Sequence, residues 1–342
     1  MASELQAEAG RDFAPSGEGA SIAVARFLAW GSVATLFAFL LNNYLDFWRD
    51  WPGAFDVFEG SRDPFAWMQA ALYALGLVLA VLLVRRTSGR PLRTDAASIY
   101  AITAFIVRAS FWAVLLIGIA DTVVSFLRVE NMLPDLVGDK VAIDLGRSYF
   151  RGVWVHFPMA VLALVIASFN RGLGFHWLAL LVVVAELLIV ISRFIFSYEQ
   201  AFMADLVRFW YAALFLFASA YTLLEEGHVR VDVLYAAFTE RTKGIANAIG
   251  CILLGMTLCW VVIVFGMGSK SAVINAPLLA FEVTQTGFGS YVKYWMAGFL
   301  GIFAITMLLQ FSGYFLESIA DYRGEPGKRQ LETDPAQMAH EH

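Results

Sequence analysis

The stretch 208–232, RFWYAALFLFASAYTLLEEGHVRVD, decides how this chain folds. From Phe209 to Leu224 it carries no charge, and with its flanking turns it approaches the ~20 residues needed to cross ~30 Å of hydrocarbon. Glu225, Glu226, His228, Arg230 and Asp232 follow at once, interleaved with Val229, Val231 and Val233. A membrane span therefore meets water here, and the chain beyond it neither plunges back into lipid nor leaves it. Val231, Leu234, Tyr235 and Phe238 then fall at i, i+3, i+4 and i+7, one helical face, while Asp232, Glu240, Arg241 and Lys243 are polar. That pattern predicts an amphipathic helix lying in the headgroup plane, although by itself it favours an ordinary amphipathic connector between two spans.

The rest of the chain has the same character. Apolar residues make up 59% and charged residues 15%, against roughly 45–50% and ~25% in soluble proteins, and the mean hydropathy is +0.66. Eight apolar segments, about 24–46, 65–84, 97–127, 152–169, 175–197, 205–224, 245–267 and 291–317, are each long enough to cross a bilayer. The expected fold is all-α: a polytopic membrane protein of about eight transmembrane helices plus one interfacial helix. The net charge of −5 is spread along the chain with no basic cluster, which argues against nucleic acid as a partner. Cys251 and Cys259 stand eight residues apart in one apolar segment, ~12 Å along a helix and too far for a disulfide, so both read as small buried residues. Residues 1–22 lack the basic start and short apolar block of a signal peptide, leaving targeting to the first span.

Orientation follows from the loop RRTSGRPLR, which places Arg85, Arg86, Arg90 and Arg93 within nine residues. Short loops rich in Arg and Lys stay in the cytoplasm, so both termini are expected inside. Lys140, Arg147 and Arg151 fall on the opposite side and weaken this bias. Trp48, Trp51, Trp67, Trp154, Trp177, Trp210 and Trp295 sit near span ends, where aromatic belts form.

A charge near the bilayer centre costs several kcal/mol unless it finds a partner or water, which singles out Arg108, Asp121, Glu186 and Arg193. Arg108 and Asp121 lie about 20 Å apart along one helix axis and cannot pair within it; Glu186 and Arg193 share a face but stand ~10 Å apart. Each is expected to meet another helix or a partner subunit, as part of a substrate path or as a structural pair. Arg108 and Glu186 are the stronger candidates for the path. No HExxH, Walker glycine loop or GxSxG elbow occurs, and His156 and His176 flank opposite ends of neighbouring spans. Neither an enzyme nor a cofactor or metal site is expected.

One resemblance brings these residues together. Asp205 and Arg208, an apolar helix ending in ASAY (218–221) and then EEGHVRVDVL (225–234) resemble the small membrane subunit of TRAP transporters, the tripartite ATP-independent periplasmic transporters, of DctQ type. That family's pattern runs acidic-x-x-Arg, a span with Gly/Ala-Ala-Ala-Tyr, then Gly-x-His-hydrophobic-x-hydrophobic-Asp. The resemblance covers about residues 175–320 and is most specific around His228. Ala218 stands where the family often has Gly and Phe202 where it often has Trp, and the last span lacks the proline often seen near its start. The implied organisation is a polar cytoplasmic tail (1–22), an extra four-helix membrane region (23–170), a DctQ-like four-helix unit (171–320) and a second polar cytoplasmic tail (321–342).

The resemblance implies a multi-pass subunit of the bacterial inner membrane with two protein partners: a large permease subunit and a periplasmic substrate-binding protein. It implies that the chain braces the permease and helps to dock the binding protein during sodium-coupled uptake of an organic acid or related solute. The spans agree, because no pair of Gly- or Pro-interrupted helices marks a midplane binding site. Ala218, Ser219 and Ala220, with Tyr221 beside them, would let a neighbouring helix approach closely. Asp205 and Arg208, one turn apart, would tie the end of the sixth span. His228, Arg230 and Asp232 would anchor the elbow through hydrogen bonds or lipid phosphates, ordinary capping being the alternative for each. A self-sufficient secondary carrier and a non-transporting membrane scaffold remain the competing readings.

Overall fold

The computed structural model describes residues 19–170, 175–224, 233–283 and 289–328. Among them there is no strand, and eight helices are long and apolar enough to cross a membrane. These are α1 (Ala20–Arg49), α2 (Pro64–Arg86), α3 (Leu92–Val129), α4 (Ser148–Phe169), α5 (Phe175–Phe196), α6 (Ala201–Leu224), α7 (Glu240–Met267) and α8 (Lys293–Arg323). The protein is all-α and polytopic. Each helix matches one apolar segment, and most run past its ends into polar turns. Those extensions have local causes. The Asp63 carboxylate accepts the Phe65 N–H at 2.8 Å, with Pro64 at the first helical position of α2. The Thr239 hydroxyl caps α7 by accepting from Thr242 N–H at 3.3 Å.

The polar elbow after α6, residues 225–232, lies outside the described residues. Of the segment expected to lie on the surface, one helical turn, Val233–Ala236, is described before α7 begins at Glu240. Two spans contain π-helical turns, Gly152–His156 in α4 and Cys251–Met256 in α7. In α4 the Phe157 N–H bonds the Gly152 carbonyl, five residues back. Such a turn re-aims the side chains that follow it.

The described residues fall into two compact units. One takes those up to Ser98 with Leu234–Cys251 and Ser312–Lys328, the other Ile99–Val233 and Ile252–Phe311. Within the first, α1 packs against α2, and the start of α7 lies close to the end of α8. A Cβ on Gly244 would come within 2.7 Å of the Ser318 carbonyl oxygen, so only glycine permits that approach.

In the second unit Phe111, Val114, Ile117, Leu178, Val182, Phe209, Phe217 and Phe299 form one core. Trp210 belongs to that core rather than to an aromatic belt, because its indole N–H donates to the Val114 carbonyl at 3.2 Å. Trp295 is half-buried against the same core, whereas Trp48, Trp67, Trp154 and Trp177 are exposed. Cys251 and Cys259 are free and buried.

Candidate functional site

Helix α6 separates into two faces. Phe202, Asp205, Phe209, Ala213, Phe217 and Ala220 are buried, while Ala204, Arg208, Tyr211 and Phe215, at spacings of four, three and four, form an exposed stripe. Arg208 is 70% exposed and Asp205 only 5%, with 3.6 Å between Arg208 Nη1 and Asp205 Oδ1. The other carboxylate oxygen, Oδ2, accepts from the Ser290 backbone N–H at 3.2 Å. Asp205 thus clips the start of α6 to the segment entering α8 and leaves the guanidinium facing outward. Further along the stripe the Tyr211 and Phe215 rings stand 4.7 Å apart. Ala218 and Ser219 are half-buried, the Ser219 hydroxyl donating to the Phe215 carbonyl at 2.9 Å, and Tyr221 is exposed. His228, Arg230 and Asp232 lie outside the described residues.

The same unit holds a buried polar cluster. Asp121 in α3 accepts at Oδ1 from Arg151 Nη1 at 2.7 Å and lies 3.0 Å from His156 Nε2. At Oδ2 it accepts from the Tyr291 backbone N–H at 2.5 Å. An ionised carboxylate only accepts, so His156 donates from Nε2, and its Nδ1 is hydrogen-bonded to the Tyr294 hydroxyl. Arg151 also donates to the Leu145 carbonyl at 3.0 Å and to the Ser125 hydroxyl at 3.1 Å, and its guanidinium sits 4.3 Å from the centre of the Tyr291 ring. A Cβ on Gly152 would come within 3.1 Å of the Tyr294 hydroxyl oxygen and closer still to the Phe281 ring. Glycine at the head of the π-turn therefore lets Tyr294 reach His156.

The expectation that Asp121 meets another helix is met by Arg151 and His156 of α4. Arg151, whose place at the edge of an apolar segment reads as a loop charge, is fully buried beside that carboxylate. Sequence reasoning passed over Arg151, His156, Tyr291 and Tyr294 as a group. The available signal was an acid near the end of one apolar segment with an arginine and a histidine near the start of the next, on antiparallel spans.

The other intramembrane charges behave differently. Arg193 pairs with Glu199 at 3.4 Å on an exposed surface. Arg108 is half-buried, and its buried Nε has no hydrogen-bond partner among the described residues. Glu186 is exposed. In the α5–α6 connection the Tyr198 hydroxyl donates to Glu130 at 2.6 Å, and burial together with that carboxylate pushes its pKa up to about 12.

Residues 179–320, which hold α6 with its exposed stripe and both tyrosines of the cluster, match the family model of Tripartite ATP-independent periplasmic transporters, DctQ component. Over this region the chain is similar to the DctQ component. The DctQ family indicates a TRAP transporter small permease subunit, a transporter part rather than an enzyme class. No curated protein and no solved structure matches the chain. The DctQ match leaves out α1 to α4, so the cluster joins residues on both sides of its boundary: Asp121, Arg151 and His156 precede the DctQ region, while Tyr291 and Tyr294 belong to it.

Proposed function

We propose that this chain braces the large permease subunit of a TRAP transporter, with the exposed stripe of α6 turned toward that subunit. It helps to dock the periplasmic substrate-binding protein during sodium-coupled uptake of an organic acid or related solute. The protein lies in the bacterial inner membrane with both termini in the cytoplasm. The DctQ-like unit runs from 171 to 320, and the four preceding helices enlarge the brace.

The carrying observation is the state of Arg208. Its local carboxylate is buried and already engaged by Ser290, while the guanidinium is 70% exposed on a helix of a membrane protein. Beyond its 3.6 Å pair with Asp205, an arginine so exposed on a membrane helix is open to a further acceptor from outside the chain or from the headgroup layer. Below it, Tyr211, Phe215 and the small residues Ala218 and Ser219 offer a surface that a second helix could approach closely.

The test is Arg208→Ala in the full chain, co-expressed with a large TRAP permease subunit. Reduced co-purification of the two subunits with reduced uptake is expected, while the folded level of this chain is unchanged. Full assembly and full uptake would remove Arg208 from the interface. Uptake by this chain alone in proteoliposomes would overturn the bracing role.

A further inference from the structure

The turn joining α1 to α2, in the first unit, exposes large apolar groups outside the spans. Ala54–Val57 is a 3₁₀-helix, and Phe55 and Phe58 are 77% and 85% exposed. With three residues per turn, positions i and i+3 of such a helix eclipse one another. Phe55 and Phe58 therefore share one edge, their rings 6.2 Å apart, and Asp56 and Glu59 share the next. On a span two bare phenylalanines would be ordinary, since lipid surrounds them. In a loop they are costly if they face water, and here the loop is preformed: Phe58 N–H bonds the Phe55 carbonyl at 2.9 Å and Ser61 N–H the Asp56 carbonyl at 2.9 Å.

The level of this loop can be read from its own unit. Arg26 of α1 is buried and donates to the carbonyls of Thr87 and Arg90, beyond the end of α2. From Arg26 to Trp48 along α1, and from Arg86 back to Trp67 along α2, the rise is about 30 Å, the thickness of the hydrocarbon. Trp48 and Trp67, both exposed, thus mark the far boundary. The loop does not stand away from it. The Gln69 side chain, about half a turn inside Trp67, donates to the Pro52 carbonyl at 2.8 Å, and the Trp67 indole donates to the Ser61 carbonyl at 3.2 Å. Both ends of the loop are drawn back to the boundary, and Phe55 and Phe58 continue the aromatic collar found there.

We infer that the 53–60 loop is a lipid-surface anchor: Phe55 and Phe58 enter the acyl–headgroup boundary of the leaflet at that end of α1 and α2, and Asp56 and Glu59 remain at headgroup level. Aromatic area gives the binding its strength. The carboxylates select its lipid, because zwitterionic headgroups offer them an ammonium, while a leaflet rich in anionic lipid repels them. The anchor is independent of the transporter assignment.

The test uses the full chain with Phe58→Cys labelled by an environment-sensitive fluorophore; Cys251 and Cys259 are buried and do not compete for the label. In phosphatidylcholine vesicles the label should be quenched by lipids spin-labelled near the top of the acyl chain. It should also be shielded from aqueous iodide about tenfold relative to the same label at Glu59→Cys. Replacing half the lipid by phosphatidylglycerol should weaken the chain-borne quenching. Phe55→Cys carries the same expectation, which keeps the inference testable if one variant misfolds. Iodide quenching equal to that at Glu59→Cys, with no quenching by the lipid-borne label, overturns the anchor. So does shielding that arises only when a soluble protein is added, because the loop would then be a protein-docking knob.

Discussion

The chain holds two polar clusters that join residues preceding the DctQ region to residues of α8, and they are built differently. Asp121 and its side-chain partners Arg151 and His156 are fully buried, and the carboxylate is shared among an arginine, a histidine and a backbone N–H. Around Arg93 the parts are simpler and wetter. Arg93 pairs with Asp321 at 2.7 Å, with 13% and 19% exposure, and donates to the Glu325 carbonyl at 3.1 Å, while the Glu325 carboxylate accepts from Leu92 N–H at 3.1 Å. Nearby Lys328 bonds Glu240 at 2.6 Å with both largely exposed. Water can replace a lost partner in the second cluster and cannot in the first. The two should therefore answer differently to deletion, salt and pH.

The largest effect is expected from Asp121→Asn, which leaves Arg151 buried without its counter-charge. A loss of about 3–5 kcal/mol is expected, read as a fall in the thermal midpoint in detergent that added salt does not rescue. Arg93→Ala should cost less, about 1 kcal/mol, because Arg93 and Asp321 keep some contact with water, and salt should shrink the difference from wild type. If these two variants lose equal stability, burial is not what separates the clusters. Arg208→Ala should change thermal stability by no more than about 0.5 kcal/mol, as for an exposed surface change, while lowering subunit co-purification; a stability loss as large as that of Asp121→Asn would make Arg208 a folding residue instead.

The smallest effect concerns Lys328. Its hydrogen bond to Glu240 holds the ammonium pKa above the ordinary lysine range of about 10.5. A folded pKa raised above the unfolded one means that this contribution is complete below the unfolded value and fades as pH rises through the raised one. Lys328→Gln should therefore lower stability slightly at neutral pH, where this contribution is complete, and converge on wild type at high pH, flattening the alkaline edge of the stability–pH profile. An unaltered alkaline edge would break the assignment.

Span number and helical class were legible because an apolar run of ~20 residues has few stable solutions in a bilayer: backbone groups must bond within the segment. Asp205 and Arg208 were legible for a similarly local reason, since three residues along a helix place them on neighbouring surface. The two faces of α6 were not. Nothing in RFWYAALFLF tells Trp210, bonded to Val114, from Tyr211, exposed, because both are aromatic and adjacent. Arg151 misled for the same reason: its position at the edge of an apolar segment fits a loop charge as well as a buried partner.

What the sequence determined by itself, then, was the medium and the secondary structure: eight apolar helices, with a DctQ pattern in the last four. Tertiary structure decided which charges are neutralised. Asp121, Arg151 and His156 are separated by as many as 35 positions, and Tyr294 lies 138 beyond His156. Such pairings depend on helix rotation and on a π-turn that re-aims α4, quantities set by packing across helices rather than by any local run of residues.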